Sequence, residues 1–198
     1  IEDFMLSANE AVASEYCRRE IPFVYRVHEN PDPEKVEQVL TLIHALGMDV
    51  KKAGQEMTPG EIQEVLSKLK GKPYEDMVSR LLLRSMKRAR YTTECSGHFG
   101  LAAKYYCHFT SPIRRYPDLQ IHRIIKDSIR GRLKPEKIEK YQEMLEDVAT
   151  QSSICERRAE EAERETDKIK KAEYMSYHLE EVFEGRISGV TAWGVYVE

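Results

Sequence analysis

Arg114 and Arg115 stand side by side between two prolines, Pro112 and Pro117. Each proline fixes its own φ and disfavours helix at the residue before it, here Ser111 and Tyr116, so the arginine pair is expected on a stiff loop. Pro117 suits the first turn of a helix, Asp118 complements the positive end of its dipole, and Leu119, Ile121, Ile124 and Ile125 supply an apolar face. A helix is therefore predicted from about Pro117. Guanidinium forks beside the N–H groups of a helix start make an anion site, and phosphate within a polyphosphate chain is the ligand such geometry favours. The local spacing is equally compatible with Arg114 and Arg115 pairing with carboxylates elsewhere in the fold.

Histidines and cysteines are the other chemistry-bearing residues. His98 falls near a glycine-rich bend, His108 in a predicted strand and His122 on the predicted helix, without a compact metal-ligand spacing. Hydrogen bonds that brace the arginine loop are the expected use for them, rather than zinc. Cys17, Cys95, Cys107 and Cys155 show no paired spacing. They read as buried free thiols in a reducing cytoplasm, not as a disulfide framework or zinc site. Asp32, Asp49, Asp76, Asp118, Asp127, Asp147 and Asp167 are scattered singly, so no metal-holding cluster is expected in this chain.

The net charge of −3 over 198 residues hides a segregation. Residues 1–83 have 10 basic and 15 acidic side chains, residues 84–134 have 12 and 3, and residues 135–198 have 9 and 16. The middle segment, net +9, contains the arginine pair. A cationic stretch inside an acidic protein is the footprint expected of a nucleic-acid channel, and a solvated basic face is the alternative reading. Apolar residues make up 41% and charged residues 33%, with no run long enough to cross a bilayer and no secretory segment. Ile1 is not an initiator methionine and the last residues stop inside a strand-like run, so both ends read as cut.

The elements that must position the pair are mostly helical. Residues 1–20 read as a helix with Phe4, Ala8, Ala11, Val12 and Tyr16 on its core face. Phe23, Tyr25 and Val27 alternate as a short strand, ended by Asn30-Pro31-Asp32-Pro33, with His28 read as a structural histidine. Two architectural helices follow: Glu34–Leu46, with Gly47 beyond it, and one opened by Thr58-Pro59-Gly60-Glu61 as an N-cap, N1 proline and third-position carboxylate. Residues 74–88 read as a helix burying Met77, Leu81 and Leu82. Arg90–Glu94 and Lys104–Phe109 read as strands flanking the bend at Ser96–Gly100. A long helix is predicted from Pro135 to about Val182. Its inner stripe comprises Ile138, Tyr141, Leu145, Val148, Ser152, Cys155, Ala159, Ala162, Thr166 and Ile169, small in the middle so that the backbone lies close to the core. The charged run Glu156–Glu165 reads as a solvated face held by i,i+4 pairs.

Gly97-His98-Phe99-Gly100-Leu101, then His108-Phe109-Thr110-Ser111-Pro112-Ile113-Arg114-Arg115-Tyr116-Pro117-Asp118-Leu119 and His122-Arg123, closely resembles the catalytic domain of the ribonuclease R and ribonuclease II (RNB) family. Ile1–Glu10 resembles the helix that follows the metal-binding half in that family, which draws attention to Glu2, Asp3 and Asn9. Pro22–His28 resembles a strand behind its active site. Ala162-Glu163-Arg164-Glu165 resembles a motif whose first acid lies close to the 3′-terminal nucleotide, which assigns that role to Glu163. Residues 182–197 alternate like paired strands and resemble the opening of an RNA-binding OB barrel.

The resemblance implies an α+β, mostly helical fold: the C-terminal part of an RNB-type catalytic domain over 1–181, with a short β-hairpin and a long C-terminal helix, and the first strands of an OB barrel over 182–198. It implies a cytoplasmic, processive 3′-to-5′ exoribonuclease, monomeric when intact, that hydrolyses single-stranded RNA to nucleoside 5′-monophosphates with Mg2+ held by aspartates upstream of this chain. Arg114 would be the catalytic clamp on the scissile phosphate. Arg115, Tyr116, Arg123, Ser111, His108, Glu163 and Glu2 would hold the loop or the RNA. This chain alone, lacking the aspartates and the first half of the catalytic domain, is expected to be inactive. The alternative reading is a catalytically inactive RNA-binding regulator of the same fold.

Overall fold

The computed structural model describes residues 1–48, 57–185 and 187–197, so Asp49, Arg186 and Glu198 of the sequence reading lie outside the described residues. The chain divides into two compact units, residues 1–154 and 155–198. The expected domain boundary at 181/182 lies within the second.

In chain order the first unit comprises α1 (Glu2–Arg18), β1 (Tyr25–Val27), α2 (Pro33–Ala45), α3 (Pro59–Leu69), α4 (Glu75–Ser85), β2 (Arg90–Thr92), a 3₁₀ turn (Phe99–Leu101) and α5 (Tyr116–Ile129). It ends partway along α6 (Pro135–Ser176), and the second unit continues that helix into an antiparallel hairpin, β3 (Ile187–Thr191) and β4 (Gly194–Val197). The mostly helical α+β fold expected from the sequence is the observed one.

Local signals set the helix starts. Asp32 caps α2 by accepting the Glu34 N–H. Thr58 and Glu61 exchange side-chain and backbone bonds as a full capping box on α3, with Pro59 in its first turn. Two apolar clusters then organise the unit. Val36, Val39, Leu40 and Ile43 of α2 pack with Val65 and Leu69 of α3 and Val78 and Leu82 of α4. The other cluster joins Ala13 and Tyr16 of α1, Phe23 to Val27 around β1, Tyr91, Cys107, Ile121 and Ile124 of α5, and Tyr141 to Ala149 of α6. That second cluster includes Ile121 and Ile124 of α5, the helix that begins beside the arginine pair.

Several sequence expectations need correction. The buried face of α1 is Asn9, Ala13 and Tyr16, while Phe4 is 80% exposed and Ala11 also faces outward. On α4 the buried residues are Val78, Leu82 and Ser85, and Met77 points outward. Lys104–Phe109 forms no strand; β1 pairs with β2 instead, in the register Tyr25↔Thr92, Arg26↔Tyr91, Val27↔Arg90. Its stripe buries α6 only at Tyr141, Leu145, Val148 and Ala149; Cys155, Ala159, Ala162, Thr166 and Ile169 are exposed. Spacing alone fixes a helical face but not whether anything covers it. Cys107 is buried, Cys17 and Cys95 are half-buried and Cys155 is exposed, so burial of all four thiols does not hold.

Candidate nucleic-acid interface

The bend before the arginine loop is stitched to the end of β1. His28 donates from Nε2 to the Lys87 carbonyl (2.6 Å) and accepts the Gly100 N–H at Nδ1 (2.8 Å), which fixes a neutral ring with the proton on Nε2. The Phe99 N–H donates to the His28 carbonyl (2.8 Å). A Cβ at Gly100 would stand 2.9 Å from His28 Nδ1, so this approach requires glycine, and Gly97 has φ +84°.

After the bend, residues 106–109 carry no regular secondary structure and are held by bonds to other elements. The Tyr106 carbonyl accepts the Arg26 N–H (3.0 Å). Asn9 on α1 accepts the Phe109 N–H at Oδ1 (3.0 Å) and donates from Nδ2 to the Tyr106 hydroxyl (3.1 Å), and its own carbonyl accepts the Cys107 thiol (3.3 Å). His122 of α5 hydrogen-bonds the Phe109 carbonyl (2.9 Å) and stacks on the Phe109 ring at 4.4 Å. At the end of the expected strand, side chains take both backbone groups of Phe109 that a neighbouring strand would use.

His108 lies edge-on between the rings of Tyr91 and Tyr106, with Nδ1 2.8 Å from the Tyr91 hydroxyl. Burial, then the nearby Arg115 and Arg26 charges, lowers its pKa to about 3. His98 is lowered to about 4, again by burial first and then by His28 and Arg26. Both are neutral at physiological pH. His98 Nδ1, the Thr110 hydroxyl and Asp118 Oδ1 are buried without hydrogen-bond partners among the described residues.

The loop itself separates the two arginines. Asp118, in the first turn of α5 and 0% exposed, accepts at one oxygen from the Ser111 N–H (2.8 Å), Arg115 Nε (3.2 Å) and Arg115 Nη2 (2.9 Å). The Arg115 N–H also turns back to the Ser111 carbonyl (3.2 Å). Of the two uses left open for the pair, carboxylate pairing is what Arg115 does. Arg114 is exposed and has no ion pair among the described residues, with Ile113 fully exposed beside it. Tyr116, half exposed, accepts from Gln120 Nε2 through its hydroxyl. Arg123 projects to solvent two α5 turns beyond Tyr116.

Part of the basic segment is neutralised locally. Glu29 pairs with Lys87 (2.9 Å) and Arg90 (3.1 Å), which hold its carboxyl below the usual range. Glu2 is exposed in the first turn of α1, and Glu163 is exposed on α6 in the second unit. Among the described residues no three His, Cys, Asp or Glu side chains converge on a possible metal site, and no helix is long and apolar enough to cross a membrane. Sequence reasoning underrated Asn9 and Asp118. The available signal for Asn9 was its place in the stripe Asn9-Ala13-Tyr16, where a polar residue on a buried face needs partners.

The RNB domain model matches residues 1–131. Ribonuclease R of Thermotoga maritima is 46% identical over 200 residues, covering the whole chain and 28% of that relative. The solved structure of Mycoplasma genitalium RNase R in complex with ribose methylated single-stranded RNA superposes with a TM-score of 0.89 at 28% identity, over 99% of this chain and 31% of that one. Yeast Ssd1, described as a pseudonuclease, matches 77% of this chain and 20% of that one, at 25% identity and a TM-score of 0.59. The chain thus spans under a third of the length of these two ribonuclease R relatives. With the match over 1–131 and the identity to ribonuclease R along its whole length, the chain belongs to the RNB family.

Proposed function

We propose that the intact protein is a 3′-to-5′ exoribonuclease that hydrolyses single-stranded RNA to nucleoside 5′-monophosphates, and that this chain supplies the arginine clamp and one wall of its RNA channel. The observation that supports this most is the division of labour in the loop. Asp118 neutralises and anchors Arg115, while the anchored turn presents Arg114 outward with its charge uncommitted among the described residues. A fixed guanidinium beside the scissile phosphate stabilises charge that grows in the transition state without reorganising as it grows. Its fork matches two phosphate oxygens at once. Arg123 and Tyr116, exposed on the first turns of α5, are suited to the RNA backbone and to ribose or base contact. Ser111 and His108 support the loop; Glu2 and Glu163 are assigned to the RNA on resemblance alone.

Magnesium dependence belongs to the intact enzyme. The residues present here do not fit a resident magnesium ion: Asp118, the acidic residue of the loop, gives one oxygen to Ser111 and Arg115 while its other oxygen is buried with no second carboxylate converging on it, and no group of three or more metal-ligating side chains forms among the described residues. We place the ligands outside this chain and expect the chain alone to be inactive.

The test is to incubate the intact protein with a single-stranded oligoribonucleotide and magnesium, in parallel with this chain alone. The intact protein should release nucleoside 5′-monophosphates and the chain alone none. Release by the chain alone that vanishes with Arg114→Ala would show that the metal site has been misplaced. The likeness to Ssd1 favours the second reading, an RNA-binding regulator of the same fold that does not cut. RNA binding by the intact protein without nucleotide release would establish it.

A further inference from the structure

Gln120 is 2% exposed on the packed side of α5, next to the buried Ile121, and its amide reaches outward. Nε2 donates to the hydroxyl of Tyr116, four residues earlier and 51% exposed. A buried amide needs a partner, and this one has taken it at the surface. The exposed hydroxyl has no such need, since water would serve it. The bond therefore acts on the ring. Its Cβ is fixed in the first turn of α5 and its hydroxyl by a side chain one turn on, so the ring lies along the helix flank. Its faces are open: Arg26 stands over the Tyr91 ring, and Arg18 and Lys104 over that of Tyr105, whereas no ring or cation faces Tyr116 among the described residues. Tyr116 directly follows the anchored Arg115, and Arg114 precedes that residue in turn.

We propose that Gln120 is a positioning residue: by holding the Tyr116 hydroxyl it keeps the ring as a fixed platform on which one nucleobase of single-stranded RNA stacks beside Arg114. This rests on the reading of the chain as the RNA-holding wall of an exoribonuclease. Stacking on an aromatic side chain strengthens binding roughly tenfold or more per base and accepts any base, because every base has a π-face. A ring already pinned to the helix meets the base without losing rotamer freedom on binding. The two neighbouring side chains then divide the work. Tyr116 grips the substrate equally before and during cleavage, so its loss falls on affinity; Arg114 meets charge that develops only in the transition state, so its loss falls on rate.

The test compares the intact protein with its Tyr116→Ala, Tyr116→Phe and Gln120→Met variants. The probes are a single-stranded oligoribonucleotide and a set of copies in which one nucleotide at a time, counted from the 3′ end, is abasic. Tyr116→Ala should weaken binding about tenfold. Tyr116→Phe, which keeps the ring and removes only the hydroxyl, and Gln120→Met should each weaken it about threefold, and the two together no further. The cleavage rate at saturating RNA should fall by less than about twofold in both. At one abasic position the unaltered protein should bind more weakly and Tyr116→Ala should cost nothing more. If Gln120→Met does not fold, Tyr116→Phe, altered at an exposed position, decides the matter alone. Wild-type affinity in Tyr116→Phe, losses that multiply in the double variant, or a Tyr116→Ala effect that persists at every abasic position would each overturn the proposal. Absence of nucleotide release by the unaltered protein is a separate result that overturns the exoribonuclease reading, and the affinities decide the platform in either case.

Discussion

Residues 97–123 and residues 155–176 both bear closely spaced charged side chains, and they hold them in opposite ways. In the first segment the groups around Arg114 are tied down, some by distant elements and some across the loop: the 106–109 run by Asn9, Gly100 by His28, Phe109 by His122, Ser111 and Arg115 by Asp118. On α6 every residue from 157 to 176 is exposed, and its ion pairs, such as Lys168 with Glu165 and Lys170 with Glu173, join neighbours on the same helix. The arginine loop therefore brings its positioning with it, whereas Glu163 has only the helix backbone to aim it. Charge density alone does not distinguish a site from a solvated face; the commitment of each charge does.

The largest effect should come from the loop anchor. Asp118→Ala leaves Arg115, of which 18% of the side chain is exposed, without its carboxylate and the Ser111 N–H without its acceptor. A loss of about 3–5 kcal/mol in denaturant unfolding is expected. Removing Glu173 from its exposed pair on α6 should leave the thermal midpoint unchanged. A loss of similar size at both sites would erase the contrast.

Within α6 itself the contrast can be drawn at two apolar positions. Leu145 is fully buried and Ile169 is 64% exposed. Leu145→Ala should cost about 2–5 kcal/mol and Ile169→Ala under about 0.5 kcal/mol, read as a shift of the denaturant midpoint. Asn9→Ala comes next, at about 1–3 kcal/mol, because it leaves the Phe109 N–H unpaired in a part-buried place.

A further effect is expected from acid. His108 and His98 have folded pKa values of about 3 and about 4, below the unfolded value of about 6.5, so the unfolded chain binds more protons in between. Their contribution to stability is complete above that unfolded value and is lost as pH falls towards 4. The thermal midpoint should decline from pH 7 to pH 4.5, and His108→Asn should flatten the decline. A midpoint that rises with acid would contradict the neutral, tyrosine-flanked histidine.

How much could be read from the sequence follows the same division. The capping box at Thr58 and Glu61, the helix opened by Pro117 and the apolar stripe of α2 were legible because each depends on residues within a turn or two. The helix α5 starts at Tyr116, one residue earlier than predicted. The absence of the strand expected over 104–109 was not legible, because the backbone groups of Phe109 at its end are taken by Asn9 and His122, side chains from other parts of the chain. The exposure of the second half of α6 was hidden for a related reason: its periodicity is intact, and only the burial of each position shows that its apolar residues lie exposed. In the site, the arginine pair announced itself, while its unequal use depended on where one carboxylate, Asp118, turned.

That unequal use is the central claim, and Arg114→Lys in the intact enzyme tests it most directly. Single-turnover cleavage of a single-stranded oligoribonucleotide should slow on the order of a hundredfold, since a point charge cannot reproduce the bidentate fork in the transition state. Affinity for the same RNA should change by less than about threefold, because the remaining cations still hold the backbone. Arg157→Lys, on the exposed face of α6, should change neither quantity. Equal losses of rate and affinity at Arg114 would contradict the account and reduce that residue to one more contact with the RNA.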